Sequence, residues 1–156
     1  MAWVVDTCVL LDVLEDDPCF GKMSATCLQH LLDDGLIVSP ISFIELSPAF
    51  GGNLRMERDF LNMMCAVCDE PWRWEDTLAA HQAWAWYVRQ KQMGKISKRP
   101  IADILIGAFA RRFQGLVTRN DKDFVTLFPD MKIIVPSFAD EASHATEAAN
   151  DADSGQ

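Results

Sequence analysis

Acidic residues at four places in this chain sit where apolar surroundings give them little reason to be. Asp6 ends the run Trp3, Val4, Val5 in VVDTCVLLDVL, and Glu45 lies inside the otherwise apolar SPISFIEL. Asp103 is the one charge between Pro100 and Ala110 in RPIADILIGAFA, and Asn120, Asp121 and Asp123 follow an apolar run in LVTRNDKDF. Local structure explains some of these. Asp6 suits the N-cap of a helix that follows it, Ser42 and Glu45 spell an S-x-x-E capping box, and an acid in the first turn after Pro100 interacts well with a helix dipole. Chemistry explains them too, because ligands of open α/β sheets lie beyond the carboxyl ends of the strands. Asp103 adds a specific demand. Its neighbours Ile101, Ile104, Leu105 and Ile106 imply a buried helix, where an unpaired carboxylate is costly, so a positive partner is expected.

Taken together the acids are not independent. Asp6, Glu45 and Asp121 each come shortly after an apolar strand, and Asp103 opens a helix flanking the strand that ends at Thr118. A parallel sheet brings all of them to one edge, where like charges repel unless a cation neutralises them. Clustered hard oxygen ligands without accompanying His or Cys favour Mg²⁺ or Mn²⁺ over zinc. Such sites serve phosphoryl chemistry.

Hydrophobic periodicity supplies the elements that must position these groups. Strands are expected at residues 2–6, 36–39, 65–69, 115–118 and 132–135. Helices are expected at 9–14, 22–32, 42–50, 55–64, 76–93 and 100–113, with a short one near 123–128. Strands separated by helices imply an α/β fold whose parallel sheet is covered on both faces. The last stretch, 139–156, carries five acids and no Lys or Arg, is rich in Ala and Ser, and is expected to be disordered. The folded domain is therefore expected to be 1–138.

Bulk composition narrows the class. The chain has 156 residues, 49% hydrophobic and 24% charged, which suits one soluble domain. No basic run precedes an apolar stretch at the start, and no apolar segment approaches the roughly 18 residues of a membrane span, so a cytoplasmic protein without membrane contact is expected. Five cysteines without a leader argue against a disulfide framework, and the lone CxxC of Cys65 and Cys68 lacks the further ligands of a zinc site. They are expected to be buried, inert thiols. A net charge of −9 argues against nucleic-acid affinity over the whole surface, yet RQKQMGKISKR holds five basic residues and no acid. Trp72, Trp74, Trp84, Trp86 and Tyr87 are expected in core or subunit packing rather than as a base-stacking platform.

The four quoted motifs, in this order and spacing, resemble the PIN domain, and the chain looks like a VapC-type toxin ribonuclease of a type II toxin–antitoxin pair. The resemblance covers about residues 2–137. It implies a three-layer α/β/α sandwich around a five-stranded parallel sheet, a Mg²⁺ or Mn²⁺ site, endonucleolytic cleavage of RNA, a homodimer and a cognate antitoxin. By the match of motifs, Asp6 and Asp103 correspond to metal ligands and Glu45 to the second acid. At the fourth position relatives often have Asp two residues after the Thr, where this chain has Asn120; the neighbouring Asp121 is the expected acid, with Asp123 beside the Phe of the common Asp-Phe ending. Thr118 resembles the polar residue that supports the site.

The implied mechanism is attack by water on phosphorus, with Glu45 orienting the nucleophile, a 5′ phosphate and a 3′ hydroxyl as product ends, and no role for the RNA 2′ hydroxyl. Lys95, Lys98 and Arg99, with Arg119, are the expected phosphate contacts; the first three equally suit an acidic antitoxin segment or a solvated helix end. Two other classes remain open. A Mg²⁺-dependent phosphotransfer or phosphatase domain of the haloacid-dehalogenase type would normally carry a second Asp where Cys8 stands. A degenerate PIN domain that binds RNA or antitoxin without significant cleavage is kept open by Asn120.

Overall fold

The computed structural model describes residues 1–94 and 100–138. Lys95, Lys98, Arg99 and the acidic stretch 139–156 lie outside the described residues.

Five short strands, β1 (Trp3–Val5), β2 (Leu36–Ile37), β3 (Ala66–Val67), β4 (Gly115–Val117) and β5 (Ile133–Ile134), form one sheet in the order β3-β2-β1-β4-β5. All neighbouring pairs are parallel, with Val4 opposite Ile37 on one side and Leu116 on the other. Among the described residues seven α-helices connect and cover them: α1 (Thr7–Leu14), α2 (Gly21–His30), α3 (Pro40–Leu46), α4 (Leu54–Met63), α5 (Trp74–Gln92), α6 (Ile101–Ala110) and α7 (Asp121–Leu127). Residues 42–50, expected as one helix, divide into α3 and a 3₁₀ turn, Ser47–Phe50, because Pro48 cannot continue the α-helical hydrogen bonding.

Alternation along β1 decides which helices lie on which face. Trp3 and Val5 join a core with Val9, Leu10, Leu28, Leu46, Phe60 and Leu61, from α1, α2, α3 and α4. Val4 points the other way, into a core with Ala80, Tyr87, Ile104, Phe109 and Phe124 from α5, α6 and α7. The result is the expected three-layer α/β/α sandwich. Close approach explains Gly115 at the start of β4, where a Cβ would collide with the Lys132 carbonyl and the Trp3 ring. Just past the end of α6, Arg112 ties this helix to the start of α5 and the loop before it. Its guanidinium bonds Asp76 at 2.6 Å, Glu70 at 3.0 Å and the Pro71 carbonyl at 2.9 Å.

Three local expectations need correction. Ser42 is not the cap of α3: Ser39 is, its hydroxyl accepting the Ser42 N–H at 3.0 Å, and Pro40 occupies the first turn. The S-x-x-E box therefore does not exist, and Glu45 owes its place to something else. The cysteines are not uniformly buried. Cys27 is, but Cys19 and Cys65 are exposed, and Cys65 precedes β3 in the left-handed region at φ 56°. The tryptophans divide as well. Trp72 and Trp86 pack on the second core, while Trp84 stacks on Tyr87 with its outer side in solvent and Trp74 is 73% exposed.

Glu57, on α4, is buried, and its Oε1 has no hydrogen-bond partner among the described residues. Burial raises its pKa above the ordinary carboxylate value. A raised folded-state pKa contributes stability that is fully present below the unfolded value and is lost as pH rises through the folded one. Glu57→Gln is accordingly expected to stabilise the protein at pH 7, on the order of 1 kcal/mol. The gain should vanish toward acid, where the native carboxyl is already neutral. Urea melts at pH 4 and pH 7 check this; equal midpoint shifts at both would show that charge is not the cause.

Candidate active site at the carboxyl edge of the sheet

The backbone leaves β1 at Asp6, and the Asp6 side chain does two things at once. It is the N-cap of α1, with φ −71° and ψ 151°, and Oδ1 accepts the Thr7 N–H at 2.8 Å. Its Oδ2 accepts the Thr118 hydroxyl at 2.6 Å and the Cys8 thiol at 3.4 Å. The cap and the site, which the sequence leaves as alternatives, are therefore the same residue. The bond from Asp6 N–H to the Val117 carbonyl, 2.9 Å, locks the end of β1 to the end of β4 and sets Thr118 beside the carboxylate.

Glu45 reaches the same place from α3. The Thr7 hydroxyl donates to its Oε2 at 2.5 Å, so one residue, Thr7, bonds both acids, Asp6 through its N–H and Glu45 through its hydroxyl. Asp103 arrives in the first turn of α6, half-buried rather than enclosed. Asn120 comes from the turn after β4. Its N–H donates to Thr118 Oγ1 at 3.0 Å, and its Nδ2 donates to Asp123 Oδ2 at 2.9 Å, which leaves the amide oxygen as its remaining donor atom for a cation. Asp6, Thr7, Cys8, Leu11, Glu45, Asp103 and Asn120 together line one open cleft of about 440 Å³.

Asp121 and Asp123 do not line that cleft. Asp121 is the first residue of α7 and Asp123 supports Asn120, so the amide, not the acid after it, reaches the opening. Arg119, expected among the phosphate contacts, is held elsewhere. Its Nε and Nη2 bond the two Asp12 oxygens at 2.6 and 2.8 Å, and its Cζ lies 4.1 Å from the Phe20 ring centroid. Thr7, Cys8 and Asp12 were not singled out in the sequence as site residues. Thr7 carried a signal, a hydroxyl next to a strand-end acid; Asp12 carried none, since its partner is 107 residues away.

Electrostatics follow from this packing. Burial raises the Asp6 pKa above the ordinary carboxylate value, opposed by the hydrogen bonds from Thr118, Cys8 and the Thr7 N–H and by the field of Arg119. Burial, together with the negative field of Asp6, pushes the Cys8 thiol up to about 11. Cys8 is thus a protonated hydrogen-bond donor at neutral pH rather than a thiolate. The cleft presents three carboxylates and an amide, a hard-oxygen set that fits a divalent cation in kind. Among the described residues no three His, Cys, Asp or Glu side chains form a finished metal cage. A cation would have to draw these carboxylates inward.

No protein-family model and no curated protein matches the chain. Solved structures do. VapBC2 from Rickettsia felis, bound to a DNA fragment from their promoter, is 17% identical with a TM-score of 0.63, covering 88% of this chain and all of that one. VapBC-1 from nontypeable Haemophilus influenzae is 23% identical with a TM-score of 0.61, over 86% of this chain and 98% of the other. FitAcB from Neisseria gonorrhoeae is 20% identical with a TM-score of 0.62, over 87% and 98%. At these identities the likeness establishes a shared fold. Among the described residues no helix is long and apolar enough to cross a membrane.

Proposed function

We propose that this chain is a PIN-domain ribonuclease, the toxin of a toxin–antitoxin pair, which cuts RNA phosphodiester bonds by attack of water with Mg²⁺ or Mn²⁺ in the cleft. The observation that carries the reading is the meeting of Asp6, Glu45 and Asp103, from three separate elements, in one cleft at the carboxyl edge of the sheet. The fold shared with VapBC and FitAcB chains supports it, as do the four motifs.

Asp6, Asp103 and Glu45 would hold the cation. When bound there, it would polarise the scissile phosphate and favour ionisation of water near neutral pH. Thr118 and the Thr7 N–H hold the Asp6 carboxylate in one orientation. Glu45, exposed and steadied by Thr7, would orient the attacking water and take its proton. Attack at phosphorus breaks the bond to the 3′ oxygen and leaves a 5′ phosphate and a 3′ hydroxyl. Lys95, Lys98 and Arg99 are the proposed RNA contacts, and a second copy and a cognate antitoxin the proposed protein partners. Asn120 favours a second reading, in which the amide weakens cation binding and the domain binds RNA or antitoxin more than it cleaves.

An assay with end-labelled structured RNA tests both. Cleavage is expected with Mg²⁺ or Mn²⁺, is expected to stop in EDTA, and should leave 5′ phosphates removable by phosphatase. Cleavage that persists in EDTA and leaves cyclic 2′,3′ phosphates would sink the first reading. RNA retention without cleavage at any cation concentration would establish the second.

A further inference from the structure

Further along α1 from Asp6 lies a second polar cluster that the proposed chemistry does not use. Asp12 is only 4% exposed. Its oxygens receive both arms of Arg119, and its Oδ2 also accepts the Ser24 hydroxyl at 2.9 Å. Phe20 covers the guanidinium face. Residues from α1, from α2 and its approach, and from the turn after β4 are thus closed into one fork.

That turn is what the cleft depends on. Arg119 is flanked by Thr118, whose hydroxyl binds Asp6, and by Asn120, whose N–H binds Thr118. Asp12 lies on the helix that Asp6 caps. Fixing the Asp12–Arg119 fork therefore fixes both partners of the Asp6–Thr118 bond relative to each other. A bidentate guanidinium–carboxylate pair is directional in a way a lysine is not. We infer that Asp12 and Arg119 are positioning residues: their fork holds the β4–α7 turn so that Thr118 and Asn120 are presented to the cleft in one geometry. The part that concerns cation binding rests on the reading given under Proposed function; the part that concerns the turn does not.

Arg119→Lys keeps the charge and loses the fork, and Asp12→Asn keeps one acceptor oxygen should the lysine variant fold poorly. Amide hydrogen exchange gives the first readout. The Thr7 and Asn120 N–H groups bond inside the cleft, to Asp6 Oδ1 and Thr118 Oγ1, and are expected to exchange at least about tenfold faster in the variant, with the β1 and β4 interior amides unchanged. Calorimetric titration gives the second: Mn²⁺ affinity is expected to fall about 10- to 100-fold, as when support behind a ligand is lost.

Uniform acceleration of all strand amides would overturn the inference, reducing the pair to general stability. Wild-type exchange at Thr7 and Asn120 would overturn it too, and a weaker, less salt-dependent RNA affinity alongside would make Arg119 a phosphate contact instead. If wild-type protein binds no Mn²⁺, the metal-dependent reading fails, and the exchange experiment still decides the role of the fork.

Discussion

Asp6→Asn is expected to abolish metal-dependent RNA cleavage, by about 10³-fold or more, while the protein stays folded. Three orders of magnitude correspond to about 4 kcal/mol of transition-state stabilisation, the scale on which loss of a metal ligand acts. The fold is expected to survive because asparagine is as good an N-cap as aspartate, so the Thr7 N–H keeps its acceptor. Stability should even move the other way in EDTA. Burial raises the Asp6 pKa, so its contribution is fully present below the ordinary carboxylate value and is lost as pH rises through the folded value. Wild-type protein without a cation should therefore lose stability over that interval, and the variant should not. Denaturant melts at pH 5 and pH 8 in EDTA, beside an activity assay, give the answer. A variant that loses more than about 2 kcal/mol at both pH values would make Asp6 a structural acid whose hydrogen bonds, not its charge, matter.

A paired substitution on α3 separates capping from catalysis. Glu45→Gln is expected to lower kcat by about 10²-fold, the usual worth of a positioned base, with stability nearly unchanged, since Thr7 can still donate to the amide oxygen. Ser39→Ala should do the reverse. It removes the acceptor of the Ser42 N–H and should cost on the order of 1 kcal/mol, with kcat kept at temperatures well below the melt. Single-turnover cleavage and thermal melts on both variants provide the comparison. Equal losses in both measurements for both variants would return Glu45 to the helix and remove it from the chemistry.

The five strands were legible because each is a short apolar run with at least one β-branched residue, fully buried in the three central strands β2, β1 and β4, a pattern that the turns on either side do not share. The meeting of Asp6, Glu45 and Asp103 was legible for the same reason, since strand ends of a parallel sheet share an edge. What failed was local or long-range. Two serines three residues apart, Ser39 and Ser42, each fit a cap, and the deciding signal was Pro40, which suits the position directly after a cap. Sequence offers Asn120, Asp121 and Asp123 side by side and favours an acid; the backbone starts α7 at Asp121, and of the three it is Asn120 that lines the opening. Arg119 reads as free charge in any one-dimensional view. Its partners, Asp12 and Phe20, are about a hundred residues away and belong to the other end of the chain.

The strand order also dictates when the cleft comes into being. β1 lies between β2 and β4, so the first of these five strands to be synthesised is completed by the fourth. Asp6 waits for Thr118 across 112 residues. At about 5–20 residues per second this is a delay of roughly 5–20 s, during which the nascent chain carries the acids but no edge on which to assemble them. A truncated product ending before β4 would be equally inert. Whatever the cleft does, it cannot begin until Thr118 has been made and β4 has paired with β1.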